Sequence, residues 1–227
     1  EMELESRRYG QEEVPEEADT PRGRLGKGEL RSLLFILGSI VLWFMGYNAV
    51  TSKYSVYAEK VLGMDYNTTL LLAQAAAIIS YLPVGMIASR VGRKKTILAG
   101  ILMLTAAFGT ASFLRVGSSQ LLMNAMFCLA GIGWATINVN SFPMVVEMCK
   151  GSDVGKYTGF YYTASMAAQT LTPYLSGKLM DMEGMTALFP YATVCVGLAF
   201  VTMLFVRHGD SKPMKKQSTL EAFDVED

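Results

Sequence analysis

The chain has 227 residues, 51% of them hydrophobic and only 18% charged, against about 25% charged in ordinary soluble domains. Twenty basic and twenty acidic residues cancel, so net charge points to no nucleic acid or other polyionic partner. Three cysteines without metal-ligand spacing and a single histidine exclude a disulfide framework, a zinc site and a histidine triad.

Charge is unevenly placed. Nine of the twenty acids fall in residues 1–31, a charged, aromatic-poor segment predicted to be a disordered cytoplasmic linker. Residues 209–227 read as a similar tail. The chain begins at Glu1, not Met, and shows no signal-peptide pattern, so it is expected to be a fragment or a processed piece. Between the tails lies a block, 32–208, of long apolar runs. A membrane span needs about 20 mostly apolar residues. Six stretches qualify, at roughly 33–57, 68–89, 96–114, 119–146, 157–180 and 186–206. Amphipathic helices of a soluble bundle would show a polar face. Spans three and six show none, which favours an all-α membrane protein.

Span one carries Asn48, Thr51, Ser52 and Ser55, with Lys53 near its end; span two carries Gln74 and Tyr81. Span four holds Asn124, Gly131, Trp134, Asn138 and Ser141. In span five, Thr158, Tyr162, Ser165, Gln169, Thr172 and Ser176 recur at three- and four-residue steps, which is one helix stripe. Polar groups at membrane depth face the bundle interior or a watery cavity. The Ser and Thr positions fit either interhelical packing or a cavity. Asn48, Asn138, Gln169 and Trp134 fit a cavity for a neutral, hydroxyl-rich solute, because amides both donate and accept and an aromatic ring covers the apolar face of a sugar. Lys53 fits a snorkelling interfacial lysine or a cavity charge. Lys178 is interfacial.

The loops orient the chain. Arg22, Arg24, Lys27, Arg31, Arg90, Arg93, Lys94, Lys95, Lys150, Lys156, Arg207, Lys212, Lys215 and Lys216 collect on one side; the other side has only Lys60 and Arg115 in its loops. Positive charge marks the cytoplasmic side, so both termini are expected there, with the chain in the plasma (inner) membrane. A sequon at Asn67-Thr68-Thr69 falls in the first outer loop. KGSDVGKYT fails as a phosphate loop, since Lys150 stands where its first glycine is required. No span contains Asp or Glu, and no catalytic motif is present; neither an enzyme nor a metal or organic cofactor is expected.

Gly85-Met-Ile-Ala-Ser89-Arg90-Val-Gly92-Arg93-Lys94-Lys95 resembles the signature turn of major facilitator superfamily transporters. That signature has an acid where Ser89 stands. The resemblance implies a conformational latch made by Gly85, Arg90, Gly92, Arg93 and Lys94, with Glu147 as acidic partner of Arg90 or Arg93. It implies a twelve-helix fold in two halves, each an inverted 3+3 repeat whose third span faces lipid. This chain then looks like the C-terminal six-helix half, and its partner is the missing N-terminal half. Gly46-Tyr47 and Gly133-Trp134 are a weak internal echo of the repeat. NAVTSKYSVYAEKVLGM, NSFPMVVEM and GKYTGFYYTASMAAQTLTPYLSG are similar to the sucrose–proton symporter and glycoside-carrier branch. The implied activity is symport of a sugar with H+ or Na+ by alternating access. The candidate cavity residues are Asn48, Lys53, Gln74, Asn124, Trp134, Asn138, Tyr162, Ser165 and Gln169, and the proton-carrying carboxylate is expected in the other half. The alternative is a six-span scaffold or subunit that transports nothing alone.

Overall fold

The computed structural model describes residues 25–148 and 153–210. Cys149, Lys150, residues 1–24 and the tail from 211 onward lie outside them. Six long α-helices follow one another: α1 Lys27–Tyr57, α2 Tyr66–Val91, α3 Arg93–Ala111, α4 Gln120–Val146, α5 Val154–Glu183 and α6 Leu188–Leu204. No strand occurs among the described residues.

The helix boundaries have local causes. α1 runs on through a π-helical turn at Ala58–Leu62 and stops at Gly63, whose φ is 65°. Together these 36 residues extend about 54 Å, well beyond a hydrocarbon core of about 30 Å. The helix therefore begins inside the segment expected to be a linker, at Lys27 and not at residue 32. Asp65 caps α2, its carboxylate accepting the N–H groups of Asn67 and Thr68. Ser119 caps α4 by accepting the Leu122 N–H at 3.4 Å. The α2–α3 turn is a single residue, Gly92, at φ 102°. Only glycine adopts that conformation without strain.

Five helical segments are long and apolar enough to cross a membrane: Lys27–Leu62, Tyr66–Val91, Arg93–Ala111, Gln120–Val146 and Met185–Leu204. α5, the expected fifth span, is long enough at 30 residues, but its hydroxyls, amide and lysines make it the most polar of the six.

α4 packs on α2 and α3, α1 packs on α5 and α6, and α3 meets α6. Exchanging α1 with α4, α2 with α5 and α3 with α6 leaves this set of pairs unchanged. The two echo glycines occupy matching places. A Cβ on Gly46 of α1 would lie 2.8 Å from the Ala192 carbonyl oxygen of α6, and one on Gly133 of α4 would lie 2.8 Å from the Gly100 carbonyl oxygen of α3. Small residues let membrane helices approach backbone to backbone. Their aromatic neighbours meet at the centre: Tyr47 and Trp134 stack with centroids 3.7 Å apart and planes 2° apart.

α3 and α6 are each packed on one side and exposed on the other. α3 buries Ile97, Ile101, Leu104 and Phe108, and α6 buries Phe189, Ala192, Val196 and Ala199. Each keeps one narrower exposed strip. α2 is the most open helix, presenting Leu71, Ile78, Ile79, Leu82 and Met86, because its main packing is on α4.

Candidate functional site

The expected site residues fall into three groups. The first is the central α1–α4 face. Asn48 and Asn138 are half-buried. Each donates its amide N–H to its own helix, to Phe44 O at 2.8 Å and Trp134 O at 3.0 Å. Both amide carbonyls have no partner among the described residues. Trp134 is pinned flat against Tyr47 and edge-on to Phe44. Tyr162 and Gln169 are exposed on α5. Gln74 is exposed on α2, at the mouth of a recess it shares with Tyr47 and Thr51.

The second group is structural. The predicted α5 stripe divides: Ser165, Thr172 and Ser176 are buried and bond to carbonyls of their own helix, while Tyr162 and Gln169 turn outward. The buried line of α5 is Tyr157, Tyr161, Ser165, Ala168, Thr172 and Ser176. Ser165 is thus a packing residue between α5 and its neighbours. Asn124 is also tied into packing. Its Oδ1 accepts from the Thr69 hydroxyl at 2.6 Å and from Gln120 Nε2 at 3.0 Å. Gln120 in turn accepts the Asp65 N–H, so the paired ends of α2 and α4 close on a polar knot and not on a cavity. Lys53 lies along α5, with Nζ 3.4 Å from where a Cβ on Gly177 would stand, and has no ion-pair partner among the described residues.

Asp65 in this knot is pH-sensitive. The Thr68 hydroxyl, then the Asn67 and Thr68 N–H groups, hold its carboxyl below the ordinary value of 3.8. A lowered folded-state pKa adds stability that is present above the ordinary value and lost as pH falls through the lowered one. As pH falls below about 5, the melting temperature of the wild-type protein should therefore fall more steeply than that of Asp65→Ala. Coincident slopes would remove Asp65 from that role.

The third group is the basic turn. Arg93, the first residue of α3, places Nε and Nη2 at 2.9 and 2.6 Å from Glu147 Oε1, at the end of α4. Arg90, the other expected partner of Glu147, is exposed and without a partner among the described residues. Gly85 packs toward Val139. Lys94 Nζ donates to the Leu204 and Val206 carbonyls at 3.0 and 2.5 Å, the orphan acceptors at the C-terminus of α6.

The sequence reading missed the other half of this cluster. Asp210 folds back so that its Oδ1 accepts the Lys94 N–H at 3.1 Å. Ser32 binds His208 Nδ1 at 2.9 Å and accepts the Arg207 N–H at 3.2 Å. Residues 209 and 210, expected to begin a free tail, are thus clamped across the neighbouring ends of α1, α3 and α4. The acid missing at Ser89 was the available signal, but nothing local pointed to residue 210 as its replacement.

The sequence model of the Major Facilitator Superfamily matches residues 66–225, well over half of the chain. The chain belongs to that superfamily. With its apolar helices, this major facilitator chain is a multi-pass integral membrane protein. A curated relative, the MFS-type transporter ppzB of Metarhizium rileyi (strain RCEF 4871), is 25% identical over 134 residues, 59% of this chain and 27% of the relative. The human organic anion transporter MFSD10 (TETRAN) matches in structure with TM-score 0.60 at 14% identity, over 80% of this chain and 48% of that one. The peptide transporter POT in complex with alafosfalin matches with TM-score 0.66 at 20% identity, over 85% of this chain and 42% of that one. These solved structures carry the fold alone. The chain spans from about a quarter to about half the length of these relatives.

Proposed function

We propose that this chain is the C-terminal six-helix half of an alternating-access secondary transporter that moves a sugar or similar small polar solute in symport with H+ or Na+. The observation that carries this reading is the α1–α4 face. Asn48, next to Tyr47 in α1, and Asn138, one turn after Trp134 in α4, offer unpaired amide carbonyls, and the Tyr47 and Trp134 rings stack on each other. Amide acceptors beside an aromatic plate suit a hydroxyl-rich ring. The superfamily fold serves organic anions in one solved relative and peptides in another, so the solute is set by side chains. The resemblance to sucrose and glycoside carriers supports the sugar class.

The exchange symmetry of the packing supports an inverted 3+3 repeat. The open apolar face of α2 and the outward Tyr162 and Gln169 of α5 support a second six-helix half as the partner covering them. The carboxylates of the described helices lie at or near helix ends (Glu29, Glu59, Asp181 and Glu183). A coupling carboxylate then belongs to that other half. Both termini are assigned to the cytoplasm and the carrier to the plasma membrane, on the clustering of Lys and Arg at one end.

The test is uptake of a labelled disaccharide by the full-length carrier in proteoliposomes under an imposed proton or sodium gradient. Trp134→Ala, Asn138→Ala and Gln169→Ala combined should lower uptake at least tenfold while surface expression is kept. Unchanged uptake would sink the site. A monodisperse six-helix monomer, stable alone and with no uptake, would favour the scaffold reading.

A further inference from the structure

A recess of about 240 Å³ lies between α1, α2, α3 and α4, with Tyr47 as part of its wall. It exists because α2 and α4 meet backbone to backbone at Ala73 and Gly131, while α1 stands away from α2. Phe108, Phe127 and Ala130 make its interior carbon-lined. Its mouth is at Thr51 and Gln74, both exposed. The Thr51 hydroxyl is occupied by the Tyr47 and Asn48 carbonyls of its own helix. The Gln74 amide and the Tyr47 hydroxyl have no hydrogen-bond partner among the described residues. The recess is therefore apolar inside and polar only at its rim.

Its size decides what enters. An apolar cavity of about 150 Å³ holds one benzene ring, whereas whole-ligand pockets begin near 300 Å³. The recess is large enough for one ring or a branched alkyl group and too small for a disaccharide. Tyr47 is a wall shared by the recess and by the face carrying Asn48, Asn138 and Trp134. We propose that the recess is a subsite for an apolar, ring-sized substituent of the transported solute. The preferred solute is then amphiphilic: a hydroxyl-rich body on the amide face, its apolar group in the recess, and its linking oxygen at Gln74. This rests on the sugar-carrier reading above and refines it.

The experiment compares phenyl β-glucoside with methyl β-glucoside as competitors of labelled disaccharide uptake by the full-length carrier. Phenyl glucoside should compete about tenfold better, the gain from burying one ring. Ala130→Leu, which fills the recess, should bring the ratio toward one, whereas Gln74→Leu, which removes a bond to the linking oxygen that both glucosides carry, should weaken both alike and leave the ratio. Equal competition by the two glucosides, with uptake intact, overturns the subsite and leaves the sugar reading standing. Absence of any disaccharide uptake overturns the sugar reading instead, and the subsite is then judged by binding to purified wild-type and Ala130→Leu protein. There, a melting-temperature rise with phenyl but not methyl glucoside, lost in Ala130→Leu, supports it. Equal shifts, or a retained lipid acyl chain that Ala130→Leu expels, overturn it.

Discussion

Gly131→Val should deprive the protein of a stable α2–α4 pair, while Gly197→Ala should leave it as stable or slightly more so. A Cβ on Gly131 would collide with the carbonyl oxygen, carbonyl carbon and Cα of Ala73. All three are backbone atoms, so no rotamer change relieves the clash and α2 must move away. Overpacking a close interface costs about 1–3 kcal/mol even where side chains can adjust, and here the whole helix has to shift. A Cβ on Gly197 of α6 meets nothing within 4 Å, and Ala is favoured over Gly within a helix by about 1 kcal/mol. The two variants are compared by size-exclusion profile and melting temperature in one detergent. A Gly131→Val protein that remains monodisperse with an unchanged melting temperature would mean that α2 and α4 are not in backbone contact.

The second large effect is expected at Asp210. Asp210→Ala removes the only side-chain acceptor that an α3 N-terminal N–H has among the described residues. Loss of an N-cap of this kind costs about 0.5–2 kcal/mol, or about 2–4 °C of melting temperature per kcal/mol in a chain of this size. Asp210→Asn keeps an Oδ1 acceptor and should lose much less, since an amide caps nearly as well as a carboxylate. Lys94 and Arg93 sit on the same turn, so its loosening frees the backbone at Arg90, Arg93, Lys94 and Lys95 to enter the trypsin cleft. Faster cleavage there in Asp210→Ala than in Asp210→Asn is the second readout. Identical behaviour of both variants and the wild type would show that residue 210 does not hold the turn.

The elements follow from the residues in order. Lengths of apolar run, the glycines at 63, 92 and 184, and the caps at Asp65 and Ser119 are local signals, each acting within a turn of the boundary it sets. Hydropathy placed the helices because transfer of a side chain from water depends on that side chain alone. It also marked the basic turn, since charge between two apolar runs has few places to go. The α5 stripe shows where this stops. Spacing put Ser165, Thr172, Tyr162 and Gln169 on one broad face. Adjacent positions on that face differ by only tens of degrees, and the line of contact with neighbouring helices runs between them. Ser165 and Thr172 fell inside it and Tyr162 and Gln169 outside.

Only the tertiary structure decided which surfaces meet. Asn124 looked like a cavity amide until Thr69 and Gln120 closed on it. Glu147 had two candidate arginines and took Arg93. Asp210 reaches Lys94 across 116 residues of chain, and the recess beside Tyr47 is bounded by four helices. None of these has a local signature, because pairing between distant groups depends on the angles at which helices cross. Those angles are set by a few points of closest approach, such as Gly46, Gly131 and Gly133. A lone glycine in a helix reads the same from its neighbours in sequence whether it meets open space, as at Gly197, or the backbone of another helix, as at Gly131.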